Sequence, residues 1–474
     1  MRSSLACLTL AILLPASAAS ITAHAAVPVP AAAIPAADFF ANATLSGAVL
    51  SPDGRHVAVL VSAKGGRVQL YTVNLPGMQV QPLTSFEDAD ISSIAWVNEQ
   101  RIVYSVMDRN IAQGDVQYGP GLYAINVDGS GYRQLASNTN SRKTTRGAPE
   151  MLSWNTRLLS ASGDQGTDDV YVTQAQFSTT GIASQTLLRL NTVTGVSKVA
   201  ASVADAQGWL LDQKGEVRIA LTINENKRTL LYREHAGVPW RKLRESDVYL
   251  AAPGDFSPAF FDAKGNFYVH ANYQGAEAVY RYDLATDTIQ GAPLANTPGY
   301  DFAGIPVQGA DKLLGMRFET DAAGTVWFDK TLDGVQAKVD ALLPATVNII
   351  SVAKRSATPF VLVTASSDVQ PATVLIFNTD TGQLMPVGSS HPAIDPLHMS
   401  RKTQVRYQAR DGLTIPAYLT LPKGHPGKNL PMVVMVHGGP WVRGGHWDWN
   451  RETQFLASRG YAVLEPDYRG STGY

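Results

Sequence analysis

The sequence predicts a mostly β chain in two parts: a β-propeller of about seven blades over residues 46–400, then the opening of an α/β domain over 401–474. Three observations carry this prediction. Short alternating apolar runs recur through the middle of the chain, at the roughly 40–50-residue period of a four-stranded blade. Two kinds of polar turn punctuate those runs. Near Lys402 the pattern changes, and two continuous apolar runs follow, Pro431–Val436 and Tyr461–Asp467, separated by a Gly pair and a helical stretch.

At 474 residues the chain is too long for one ordinary domain. Hydrophobic residues make up 45% and charged residues 17%, a globular balance. The formal net charge is −1, and no basic run accompanies the scattered aromatics. No bulk electrostatic pull towards nucleic acid or anionic lipid is implied.

The N-terminus reads as a signal peptide over residues 1–25. Arg2 supplies a short positive region, and Leu5 to Leu14 an apolar stretch too short to span a bilayer. Small-residue cleavage sites follow at Ala16-Ser17-Ala18 and Ala23-His24-Ala25. Export to the periplasm or beyond is the expectation, with no membrane span left after processing. Residues 26–45 begin Ala/Pro-rich and read as a flexible lead-in. The single cysteine, Cys7, falls within the signal segment. The mature chain then has no disulfide, no thiol nucleophile and no thiolate metal site.

The first turn type precedes a β-branched strand. It stands at Ser51-Pro52-Asp53-Gly54, at Asn98-Glu99-Gln100, at Asp212-Gln213-Lys214-Gly215 and at Asp262-Ala263-Lys264-Gly265. Weaker copies at Asn155, Asp311 and Arg355 give successive spacings of 45, 57, 57, 50, 49 and 44 residues, hence about seven blades. The second type follows an aromatic or aliphatic strand, at Asn74, Asn126, Asn191, Asp283 and Asn378. Asp and Asn suit such turns because they tolerate left-handed backbone and bond their own main chain. No long amphipathic helix is read in this region. A β-sandwich array or several small β domains is the alternative to a propeller.

In the last part, the stretch around Asp411-Gly412 reads as two strands, and Pro431–Val436 as a strand buried on both faces. His437-Gly438-Gly439-Pro440 breaks that run. A helix is read within Trp449–Arg459, with Gly460 placed to end it. Tyr461–Asp467 is the second buried strand. A Gly loop between a strand and the helix that follows supplies one oxyanion-hole N–H in α/β-hydrolases. Taken alone, the glycines read equally well as a tight turn.

Together, the SPDG-type turns, the segment ARDGLTIPAYLTLP, the VHGGPW loop and the DYRGSTGY terminus resemble the prolyl oligopeptidase family of serine peptidases, in its acylaminoacyl-peptidase-like and dipeptidyl-peptidase-like branch. The resemblance is loose over the blades and tight over Arg410–Tyr474. It implies a propeller capping an α/β-hydrolase domain, with short peptides as substrates. It also implies that His437, Gly438 and Gly439 form the oxyanion side of the site. Members closest to prolyl oligopeptidase carry Tyr where His437 stands, so the Gly backbone is the donor to expect. Ser471 lies outside an elbow context and is not read as the nucleophile.

No G-x-S-x-G occurs anywhere in the sequence. A complete domain of this type needs roughly 200–250 residues. The chain therefore reads as the front portion of an exported serine-type peptidase, without its catalytic Ser, Asp and His and inactive as it stands. His391, His398, His425 and His446 read as loop or surface residues, and no metal triad, H-E-x-x-H or cofactor is implied. The other reading is a non-enzymatic propeller that binds a peptide or protein in its channel. A carboxylesterase relative shares the HGG loop but does not usually carry a propeller. The sequence leaves the oligomeric state open.

Overall fold

The turn chemistry is borne out where it was strongest. In this computed structural model, which describes residues 34–63, 66–111, 119–139, 151–160, 166–179, 181–250 and 252–474, Asp212 Oδ1 accepts the N–H groups of Lys214 and Glu216 at 2.9 and 3.0 Å. Asp262 repeats this with Lys264 and Asn266, both at 2.9 Å. Asp53 caps its own turn through Arg55 N–H at 3.1 Å and the Ser51 hydroxyl at 2.6 Å. The second turn type repeats this at three of its five positions, while Asn126 Oδ1 instead accepts the Arg101 guanidinium at 2.7 Å. Asn191, Asp283 and Asn378 each accept from the residues two and three places on. A side-chain acceptor thus replaces the backbone partner that each reversal removes.

Between these turns the described residues form seven antiparallel sheets, six of four strands and one of three. Each is built from consecutive strands, beginning at Leu45–Leu50, Asp90–Trp96, Thr156–Ser160, Ala206–Leu211, Phe256–Phe261, Ile305–Gln308 and Val347–Ser351. Shared apolar clusters join neighbouring sheets. Tyr104 and Ile102 of the second pack with Leu70 of the first, and Phe302 and Met316 join the fifth and sixth. Leu45, Leu50 and Val57 of the first sheet pack with Phe360, Leu362 and Ile376 of the seventh. Thr44 N–H to Ser390 O and Arg355 N–H to Pro52 O, each 2.8 Å, tie the same pair. Sheets that follow in order, with the last against the first, are consistent with a propeller.

Before residue 401, three details differ from the sequence reading. The turn at Asn155 precedes the first strand of its sheet, Thr156–Ser160, instead of joining first to second as in the other six. In the sixth sheet a helix, Lys330–Leu342, follows the third strand, Ala323–Trp327. Asp329 caps that helix through Thr331 and Leu332 N–H, and Val335 and Val339, one turn apart, pack on Trp327, Ile350 and Phe377. Within residues 26–45, those from 34 on are described: Ala36–Phe40 is a short helix, and Phe39, fully buried, meets Phe455 edge-on at 5.8 Å. The expected signal peptide, 1–25, lies outside the described residues.

The last sheet is mixed. Strands Lys402–Gln408, Thr414–Thr420, Ala462–Pro466 and Met432–Val434 stand in that order, and only the last pair is parallel. Helix Arg451–Ser458 connects the parallel pair, capped by Asn450 Oδ1 on Thr453 N–H at 3.0 Å. Gly460 follows it at φ 92°, the left-handed terminator read from the sequence. The run Pro431–Val436 is not buried on both faces. Met432–Val434 is an edge strand, with Met432, Val434 and Val436 at 56, 50 and 68% exposure. Among the described residues, no helix is long and apolar enough to cross a membrane.

Candidate oxyanion site

The HGG loop leaves the end of strand Met432–Val434 and reaches helix Arg451–Ser458 through residues 435–450. Gly439 has φ 137°, and a Cβ there would lie 3.0 Å from Val442 Cγ2, so glycine is required. Gly438 and Gly439 are exposed, and their N–H groups have no hydrogen-bond partner among the described residues. Two free donors on one exposed turn can receive a developing oxyanion.

His437 has different work. Its Nδ1 lies 2.7 Å from Gly438 O, and a carbonyl only accepts, so Nδ1 carries the proton. Nε2 lies 2.9 Å from Ser471 Oγ, so both ring nitrogens are engaged. The ring stacks on Tyr468 at 4.4 Å, and the Tyr468 hydroxyl donates to His437 O at 2.7 Å. The imidazole is thus fixed by its own contacts, and the N–H groups of Gly438 and Gly439 stay unpaired among the described residues.

Sequence reasoning did not foresee that Ser471, His437 and Asp467 would meet. The geometry is not that of a Ser–His–Asp triad. In a triad the carboxylate takes the ring nitrogen remote from the serine. Here Asp467 Oδ1 stands 3.5 Å from Nε2, the nitrogen that Ser471 already occupies. Ser471 sits on a turn, its N–H bonded to Tyr468 O at 2.9 Å, and not on a strand-to-helix elbow.

Asp467 serves as the anchor of the loop. It is 2% exposed, its Oδ1 accepts Gly444 and Gly445 N–H at 2.9 Å each, and its Oδ2 accepts the Tyr474 hydroxyl at 2.7 Å. Burial, reinforced by Asp467, pushes the Tyr474 phenol upwards. Asp467→Ala would strand two backbone donors, each costing about 1–3 kcal/mol if left unpaired. Limited proteolysis should then cut 441–450 at least fivefold faster than in the parent. Unchanged cleavage would show that the loop is held from elsewhere.

Of the other histidines, His391 meets Trp449 at a tilt, ring centres 4.7 Å apart, and burial lowers its pKa. His398 is exposed near Asp395, and His425 Nδ1 accepts Gly427 N–H at 3.2 Å. His446 is no free surface residue: its Nδ1 meets Glu319 Oε1 at 2.7 Å. No group that could hold a metal occurs among the described residues.

A cavity of about 1730 Å³ lies between the first, second and seventh sheets and the start of helix Arg451–Ser458. Asp88, Asp108, Arg109, Thr364, Asn450 and Glu452 are among its walls.

Comparison with known proteins extends over nearly the whole chain. No family model matches it. Dipeptidyl aminopeptidase BIII of Pseudoxanthomonas mexicana is 23% identical over 449 residues, 92% of this chain and 60% of that protein. One solved prolyl endopeptidase superposes with a TM-score of 0.63 at 14% identity, over 92% of this chain and 63% of its own. A puromycin-hydrolysing peptidase of Mycobacterium tuberculosis superposes with a TM-score of 0.63 at 18% identity, over 94% and 69%. The chain therefore spans about 60% of the length of that curated relative.

Proposed function

We propose, for a chain that belongs to the prolyl oligopeptidase family, that it forms the propeller and the opening strands of an exported serine-type peptidase acting on short peptides. Residues 46–400 are the seven-bladed propeller, and 401–474 begin the α/β-hydrolase domain that it caps. The observation that carries this reading is the place of the HGG loop. It follows the sheet's third strand along the chain, Met432–Val434, and precedes its helix, where α/β-hydrolases draw one oxyanion N–H. Gly438 and Gly439 supply that donor, and the cavity at the start of helix Arg451–Ser458 receives the peptide.

The reaction class is acyl transfer to water through a serine ester. The 474 residues contain no G-x-S-x-G, and the Ser471–His437 contact has the wrong partner geometry for a nucleophile. This polypeptide should neither turn over aminoacyl- or dipeptidyl-p-nitroanilides nor react with a fluorophosphonate. Labelling abolished by Ser471→Ala would reverse the assignment of Ser471.

The peptidase reading is tested by sequencing the coding DNA past the Tyr474 codon. An open frame running into G-x-S-x-G, then Asp and His, supports it. A stop codon there removes the catalytic part and leaves a propeller whose cavity binds a partner.

A further inference from the structure

Loop 441–450, which carries the HGG turn onwards, also touches the sixth sheet. His446 Nδ1 meets Glu319 Oε1 at 2.7 Å, at the end of strand Leu313–Glu319. The Arg443 guanidinium donates to Thr320 O. The Tyr418 hydroxyl donates to Asp321 O at 2.6 Å. Asp301 and Gly473 exchange bonds, N–H to O at 3.2 Å and N–H to Oδ2 at 3.1 Å. Arg443 lies over the rings of Tyr300 and Tyr474, at 5.8 and 5.0 Å. Of these contacts, only the first contains a group whose ordinary titration falls near neutrality.

We propose that the His446–Glu319 contact is a pH-sensitive latch that fastens the loop after the HGG turn, and with it the last sheet, to the sixth sheet. It operates whether or not the peptidase reading holds.

The charges around the pair set its direction. Glu319 bonds His446 and raises its pKa; burial opposes this, Asp448 adds to it and Arg443 subtracts. Burial alone would raise Glu319, but His446 and Arg443 outweigh that and Asp467, and hold the carboxyl below its usual range. Lys402 Nζ binds His446 O at 3.0 Å and faces Asp448 and Glu465.

A histidine raised on folding contributes stability fully present below its unfolded value, here 6.5, and lost as pH rises through the folded one. A depressed carboxyl contributes above its unfolded value, here 4.5, and loses that as pH falls through the folded one. The latch is therefore tightest between those two values and loosens towards alkaline pH. Because His446 and Glu319 are 44 and 33% exposed, its strength is that of a partly solvated ion pair.

Hydrogen exchange of the intact chain at pH 5.5 and 8, corrected for intrinsic rates, reads the latch. Protection of 441–446 and 318–321 should fall about two- to fivefold at the higher pH, while strands Leu45–Leu50 and His56–Ser62 stay unchanged. His446→Gln should give the loosened value at both pH values. His446→Arg, which keeps a cation throughout, should give the protected value at both. An equal pH response in His446→Gln, or none in the parent, would overturn the proposal. Should His446→Gln not fold, the response of His446→Arg decides alone: a parent-like fall in protection sinks the idea.

Discussion

Gln454→Leu should lower the stability of the fold by about 3 kcal/mol or more, because one buried amide satisfies three backbone groups that no other described residue bonds. Gln454 is 1% exposed, on the inner face of helix Arg451–Ser458. Its Nε2 donates to Asp368 O at 2.8 Å and to Ser400 O at 2.7 Å, and its Oε1 accepts Ser400 N–H at 2.9 Å. Leucine fills similar volume but leaves two carbonyls and one N–H unpaired, each worth about 1–3 kcal/mol. Gln454→Glu separates the bonds from the packing. A carboxylate still accepts from Ser400 but cannot donate to the carbonyls, so most of the loss should persist. Urea unfolding followed through Trp447 and Trp449, which flank this contact, measures both variants. A loss below about 0.5 kcal/mol in Gln454→Leu would mean that water reaches these groups and that the helix is anchored by its apolar face alone.

The same residues show what the sequence could and could not disclose. Turns written by a single Asp or Asn are legible because donor and acceptor lie two to four residues apart, as at Asp212 and Asp262. Asn155 misleads because it has the right side chain on the wrong side of a strand. Helix Lys330–Leu342 stays hidden because only Val335 and Val339 are buried and Gly334 interrupts it, so its apolar stripe is too thin to read. The run Pro431–Val436 is apolar on both faces, and composition suggests a central strand. Its placement at an edge depends on the order of strands, which no local pattern encodes. The HGG loop could be read from its glycines. The grip of Asp467 on Gly444 and Gly445 could not, since those partners lie 23 and 22 residues away and meet only once the parallel pair has formed.

Lys402→Met should be the most damaging single charge removal in the last sheet, at about 3–5 kcal/mol. The Lys402 side chain is 1% exposed at the start of strand Lys402–Gln408. Its ammonium lies 3.2 Å from Glu465 Oε2, 3.7 Å from Asp448 Oδ1 and 5.5 Å from the centre of the Tyr418 ring, and it donates to His446 O at 3.0 Å. Glu465 Oε2 accepts no well-angled hydrogen bond, so its charge rests on proximity to this one cation. Methionine keeps the stem's packing and strands Glu465, whose side chain is 12% exposed, while Asp448 at 58% turns to water. The cost should thus come from the orphaned carboxylate more than from the lost attraction. Adding Glu465→Gln to Lys402→Met removes the orphan charge and should recover at least half of the loss. A double-mutant cycle over the four proteins measures that coupling directly. Additive effects would place the cost in the bond to His446 O, which would tie Lys402 to the loop and not to the strand Ala462–Pro466.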